Sequence, residues 1–128
     1  MNKHKILVVD DDSSIRRLLS FLLEKSGYTV ITAEDGIEAL ARVESAKPEI
    51  VITDLMMSKL DGYQLCRSIR GRREYDGIRI IVLTARDQSG DVEALKTSGA
   101  DFVMKKPINP QELTKAVKGF LEERQRAG

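Results

Sequence analysis

Four apolar runs in this chain end in residue types that handle phosphate or a hard metal ion. Ile6-Leu7-Val8-Val9 runs into Asp10-Asp11-Asp12, and Ile50-Val51-Ile52-Thr53 into Asp54. Ile80-Ile81-Val82-Leu83 runs into Thr84, and Phe102-Val103-Met104 into Lys105-Lys106. If the four runs are parallel strands, their ends bring acids, a hydroxyl and an ammonium group to one edge of a sheet. Carboxylates that close raise one another's pKa unless a cation relieves them. A divalent ion with oxygen ligands does so, and Mg²⁺ suits a site that also takes phosphate, with Mn²⁺ as an alternative. One carboxylate can then attack phosphorus and become an aspartyl-phosphate. The remaining groups position the reactants and balance charge, Lys106 as a point charge and Thr84 as a hydroxyl donor.

The elements that must position these groups alternate along the chain. Ile6–Val9 is short, apolar and rich in branched residues, which predicts a buried strand. Asp12-Ser13-Ser14 supplies helix-capping chemistry, followed by Ile15, Leu18, Leu19, Leu22 and Leu23 at helical spacing up to Gly27. A more polar strand over Tyr28–Ala33 fits a sheet edge. Glu34-Asp35-Gly36 turns into a helix with Ile37, Leu40 and Ala41 on its apolar face, ended by Lys47-Pro48. Ile50–Thr53 is the central strand. Asp61-Gly62 turns into a short helix with Leu65, Cys66 and Ile69, and Arg70–Gly77 is a polar loop. A strand over Arg79–Leu83 precedes a weakly apolar helix carrying Val92 and Leu95. Phe102–Met104 is the fifth strand. Asn109 caps a last helix that starts at Pro110 and buries Leu113, Ala116, Val117, Phe120 and Leu121. Five strands alternating with five helices predict an α/β fold, a doubly wound (βα)5 parallel sheet of flavodoxin-like type in the order 2-1-3-4-5. The order reverses between the first and third strands, which places Asp10-Asp11 beside Asp54.

Size and composition fit a single domain over residues 1–128, with a core over 5–121 and a polar tail, 122–128, expected to fray. The chain is 41% hydrophobic and 32% charged with a net charge of +1, so no global field draws it to nucleic acid or an acidic membrane. One cysteine cannot close an internal disulfide, no run reaches the length of a membrane span, and Met-Asn-Lys-His-Lys leads straight into a strand without a signal peptide. The expectation is a soluble, cytoplasmic domain with no direct nucleic-acid or membrane partner. Several conspicuous residues have ordinary readings. Asp12 reads as a helix cap, and Glu34 and Asp35 as turn and cap residues. Arg67, Arg70, Arg72 and Arg73 read as a solvated helix end and loop, Cys66 as core filler, and His4 as a terminal residue without a phosphate-donor role. Strand alternation sends Lys105 and Lys106 opposite ways, so one of the two reaches the site.

As a set, the motifs resemble the receiver domain of the response regulators of two-component signalling, of the single-domain chemotaxis-regulator type. The resemblance rests on Val8-Val9-Asp10-Asp11, on Ile52-Thr53-Asp54-Leu55-Met56-Met57 with Asp61-Gly62, and on Leu83-Thr84-Ala85, Gly99-Ala100-Asp101 and Lys106-Pro107. It covers nearly the whole chain in order and spacing. It implies that Asp54 accepts a phosphoryl group from the phosphohistidine of a sensor histidine kinase or phosphotransfer protein. It implies that Asp11 binds Mg²⁺ directly, Asp10 largely through water, and that Asp54 and the Met56 carbonyl complete the protein ligands. Thr84 and Lys106 would contact the phosphoryl group, the Lys106–Pro107 peptide would be cis, and a protein-interaction surface would switch. Such a domain is no enzyme in the turnover sense: it catalyses its own phosphorylation and dephosphorylation. The side chains of Met56 and Arg86 would border the approach of water and modulate the lifetime of the phosphate. Two positions depart from the pattern: Ser58 replaces a usual proline, and Val103 a usual aromatic, which removes an aromatic relay to Thr84.

Two other functions compete. Asp10-x-Asp12 can be the nucleophile and acid/base of a haloacid-dehalogenase-like phosphatase with Thr84 and Lys106, although nothing acidic follows Lys106-Pro107-Ile108-Asn109 and Asp54 would be idle. A receiver that has lost phosphotransfer and only binds partners is the other. The residue that takes up phosphate separates all three.

Overall fold

The computed structural model describes residues 4–57, 59–85 and 92–127, with side chains through residue 124. Its elements follow in the order β1 (Lys5–Val9), α1 (Ser13–Lys25), β2 (Thr29–Ala33), α2 (Gly36–Ala46) and β3 (Ile50–Asp54). Then come α3 (Gly62–Arg70), a 3-10 turn (Arg73–Tyr75), β4 (Arg79–Thr84), α4 (Val92–Ser98), β5 (Phe102–Lys105) and α5 (Pro110–Ala127). The five strands form one sheet in the order β2-β1-β3-β4-β5, parallel at every described pairing. That is the doubly wound topology expected from the alternating pattern, and it puts the C-terminal ends of β1 and β3 side by side, Val9 opposite Thr53.

Strand alternation sorts the core into two layers. Leu7, Val9, Val51, Ile80 and Val82 face α2, α3 and α4 through Ala39, Val43, Leu65, Ile69 and Leu95. Ile6, Val8, Ile50, Ile52, Ile81 and Leu83 face α1 and α5 through Leu19, Leu23, Leu113, Val117 and Leu121. The central strand β3 is buried along its whole length, as a strand covered on both faces must be.

The caps follow from side-chain chemistry. Asp12 accepts from the Ser14 amide, Asp35 from the Glu38 amide, and Asn109 from the amides of Gln111 and Glu112. Asp61 and Gln64 form a reciprocal capping box at α3. The apolar stripes need two corrections. In α2 the buried face is Gly36, Ala39 and Val43, with Leu40 beside them, while Ile37 is 55% exposed and Ala41 faces solvent. Small residues let this helix lie close to the sheet, so the bulkiest apolar side chain is not the buried one. In α1, Leu18 is exposed while Leu19 and Leu23 are fully buried.

Arg70 also departs from the solvated reading. Its guanidinium donates to the Gly99 and Tyr75 carbonyls and meets Asp101 Oδ2 at 2.7 Å. Arg70 therefore ties α3 to the loop entering β5. Cys66 is buried, and burial pushes its thiol up to about 12, consistent with core filler. His4 lies against Glu49 at 2.8 Å. The helix α5 continues through the polar segment to Ala127.

Candidate functional site

The carboxylates expected to converge do converge. Asp10 follows β1, Asp11 opens the turn into α1, and Asp54 ends β3; one ligand atom from each lies within 4.8 Å of the others. Lys106, just past β5, places Nζ 3.1 Å from Asp54 Oδ1 and 3.7 Å from Asp10 Oδ2. Lys105 is exposed and Lys106 half-buried, in keeping with the alternation expected of the pair. The Lys106 amide donates to the Thr84 carbonyl at 2.7 Å, which joins the last two of the four strand ends. The Lys106–Pro107 peptide is cis.

The three acids are not equivalent. Asp10 is 1% exposed, and its Oδ1 accepts from the Asp12 amide at 2.9 Å. Asp54 is 9% exposed at the mouth of the cluster, and Asp11 faces solvent. Burial raises the pKa of both Asp10 and Asp54 above the ordinary value. For Asp10 the Asp12 amide opposes the rise while Asp54 adds to it; for Asp54 the Lys106 ammonium opposes it and Asp11 adds to it. Burial works against the charge of Lys106, but Asp54 and Asp10 together hold its pKa above the usual lysine value. One ammonium therefore answers several carboxylates.

Two buried oxygens lack a hydrogen-bond partner among the described residues, Asp10 Oδ2 and Thr84 Oγ1. An unpaired buried polar atom is costly. Both belong to the set expected to face a metal or a phosphoryl group, so the donor chemistry fits a hard divalent cation: oxygen atoms, excess negative charge and an unsatisfied buried carboxylate oxygen. Asp12 does not join the cluster, because its side chain is committed to capping α1. The phosphatase reading loses its acid/base there, and its nucleophile Asp10 is shielded from solvent.

Other expected residues fall around this core. The Met56 side chain is 60% exposed, two residues beyond Asp54. Val103 is half-buried against the α2–α4 layer. Arg86 and Ser58 lie outside the described residues. Sequence reasoning missed Arg16, whose Nη1 donates to the Asp10 carbonyl at 2.6 Å while Nη2 reaches Glu34 at 3.3 Å. Nothing in its spacing singles it out, since it is one of several charged residues in α1.

Comparison with known proteins agrees with this geometry. The response regulator receiver domain model matches residues 6–118. This chain belongs to that family. It is 46% identical over 121 residues to the alkaline phosphatase synthesis transcriptional regulatory protein PhoP of Bacillus subtilis, a match that covers 94% of this chain and 49% of the relative. It is 39% identical over 117 residues to protein PilG of Pseudomonas aeruginosa, covering 91% of this chain and 87% of PilG. The chain thus spans about half the length of PhoP and of several other curated relatives it matches. Among solved structures, a CheY-like response regulator receiver domain protein from Methanospirillum hungatei superposes with a TM-score of 0.91 at 28% identity, covering 99% of this chain and 100% of that one. A response regulator from Chloroflexus aurantiacus superposes with a TM-score of 0.90 at 34% identity, covering 94% and 99%. As a receiver domain of two-component signalling, the chain carries an acidic site of the kind that takes Mg²⁺. No described helix is long and apolar enough to cross a membrane.

Proposed function

We propose that Asp54 is the phosphoacceptor of this receiver, with Asp10, Asp11, Asp54 and the Met56 carbonyl as protein ligands for Mg²⁺. The observation that carries this reading is the pairing of Lys106 with Asp54 at 3.1 Å beside two further carboxylates. A bound Mg²⁺ or Mn²⁺ would supply positive charge against the acids and the phosphoryl oxygens. A carboxylate oxygen of Asp54 attacks the phosphorus of a phosphohistidine. The O–P bond forms as the P–N bond breaks, and the leaving imidazole nitrogen keeps the electron pair and takes up a proton. Lys106 then exchanges part of its contact with the carboxylate for a phosphoryl oxygen, and the Thr84 hydroxyl, without a partner among the described residues, donates to another. Water later attacks phosphorus, restoring the Asp54 carboxylate and releasing inorganic phosphate.

The donor is a sensor histidine kinase or a phosphotransfer protein, and the exchange takes place in the cytoplasm. The output is a change in the surface formed by α4, β5 and α5, which selects a protein partner. Val103 has no ring to relay the signal, so backbone and loop shifts carry it. No direct contact with nucleic acid or membrane is part of this reading, and turnover is limited to the domain's own phosphorylation and dephosphorylation. Met56 and Arg86 flank the approach of water, and Arg86→Ala is expected to change the half-life of the phosphorylated form.

Acetyl phosphate with Mg²⁺ tests the reading, followed by reductive trapping and peptide mapping of the acyl phosphate. Label on Asp54, abolished by Asp54→Asn, is the expected result. Label on Asp10 would restore the phosphatase reading, and no label would leave a module that only binds partners.

A further inference from the structure

The segment between β3 and α3, Leu55-Met56-Met57-Ser58-Lys59-Leu60-Asp61, contains neither proline nor glycine. Nothing in its covalent structure restricts the backbone, yet it carries the Met56 carbonyl and takes Lys59 through φ 70°, a left-handed conformation that ordinary side chains avoid. Tertiary contacts must therefore hold it. On the inner side, the Leu55 amide donates to the Leu83 carbonyl at 2.9 Å, and the Gly62 amide to the Leu55 carbonyl at 2.8 Å. On the outer side, the support comes from the turn between β2 and α2. Lys59 Nζ lies 3.5 Å from Asp35 Oδ2, and Leu60 rests directly on Gly36.

Gly36 is not required by its conformation. The described glycines with positive φ are Gly27 and Gly99, and Gly36 opens α2, where alanine is the better helix former. What excludes a side chain is space. A Cβ at Gly36 would overlap the Leu60 Cβ and carbonyl oxygen and stand 3.0 Å from the Leu60 carbonyl carbon. Two of these three atoms are backbone, which cannot rotate out of the way, so the loop itself would have to lift. By contrast, a Cβ at Gly119 in α5 would meet nothing within 4 Å.

We propose that Gly36 is a positioning residue for the metal and phosphoryl site: it is the seat on which Leu60 rests, and it sets the depth of the loop that presents the Met56 carbonyl. This rests on the reading of Asp54 and its neighbours as a Mg²⁺ site. The β2–α2 turn, which contributes no ligand, thereby tunes the site from outside, as groups behind the ligands of a metal commonly do.

The test compares the parent protein with Gly36→Ala, Leu60→Ala and Gly119→Ala by calorimetric titration with MgCl₂, well below every unfolding midpoint, alongside amide spectra of the metal-free proteins. Gly36→Ala is expected to weaken Mg²⁺ binding about tenfold, in the range seen when supporting groups of a metal site are changed. Its amide shifts should be confined to Met56, Met57, Lys59, Leu60 and the first turn of α2. Leu60→Ala keeps the Cβ and carbonyl that rest on Gly36 and trims only the side chain packed against the core beyond it, so it should weaken binding less and shift the same amides. Gly119→Ala should bind as the parent does. Parent-like affinity in both Gly36→Ala and Leu60→Ala, or shifts spread through β5 and α5, would overturn the role of the seat while leaving the metal site standing. A parent that takes up no Mg²⁺ would overturn the metal site and the seat together.

Discussion

At the end of the sheet where the strands begin, acids and bases are matched. Asp101 receives Arg70 at 2.7 Å, Arg79 at 3.3 Å and the Ile80 amide at 2.8 Å. Glu49 is flanked by His4 at 2.8 Å and Arg124 at 3.5 Å, and Arg124 also donates to the Gly77 carbonyl. At the end where the strands finish, three carboxylates crowd within 4.8 Å, and Lys106 is the cation that reaches two of them. Both ends are built from strand termini of the same parallel sheet. One end answers its carboxylates with cations, and only the Arg79 Nε there lacks a hydrogen-bond partner among the described residues. The other carries excess negative charge and leaves two buried oxygens, Asp10 Oδ2 and Thr84 Oγ1, without a partner among them. A charge cluster that a fold leaves uncompensated marks where a ligand supplies the balance.

Breaking the compensated end should cost the most stability. Asp101→Ala removes the shared partner of two guanidinium groups and of a backbone amide. Urea unfolding should show a loss of about 2–3 kcal/mol, below the range for fully buried pairs because these side chains retain some solvent exposure. At the other end, Mg²⁺ should stabilise the wild-type protein by about 2.7 kcal/mol at a hundred times its dissociation constant, and Asp54→Asn should lose most of that gain. Thermal unfolding at graded MgCl₂ measures both.

Asp10→Asn should do the reverse of Asp101→Ala, raising the stability of the metal-free protein at neutral pH by on the order of 1 kcal/mol. Asp10 and Asp54 have folded pKa values raised by burial. The stability they contribute is fully present below the ordinary carboxylate value of 3.8 and is lost as pH rises through the raised values. These two acids therefore draw stability down from that value toward neutral pH, against Asp35, whose lowered pKa acts the other way, and Asp10→Asn should remove its share of the decline. A stability profile over that pH window with the same slope in Asp10→Asn as in the wild type would contradict the view that Asp10 is held at a cost. The smallest effect belongs to the solvated pair Arg72–Glu74, 2.6 Å apart on the surface, where Arg72→Ala should leave the unfolding midpoint unchanged within error.

Much of this molecule is legible in the order of its residues. Alternating apolar runs and helical stripes determine a doubly wound parallel sheet, because a strand covered on both faces must be apolar throughout and each crossover needs a helix. The strand order then places the ends of β1 and β3 together, so Asp10, Asp11 and Asp54 could be grouped before any coordinate was known. Alternation alone required that one of Lys105 and Lys106 reach the site, and the distances to Asp54 and Asp10 show it to be Lys106. Packing decided the rest. Which of Ile37 and Ala39 is buried depends on how closely α2 approaches the sheet, and small residues win that contest against larger ones. Arg70 looks like any surface arginine until the fold brings Gly99, Tyr75 and Asp101, distant in sequence, within its reach. Arg16 at the Asp10 carbonyl and Leu60 on Gly36 likewise have no local signature. Such contacts are set by distances between separate elements, and periodicity along one segment carries no information about them.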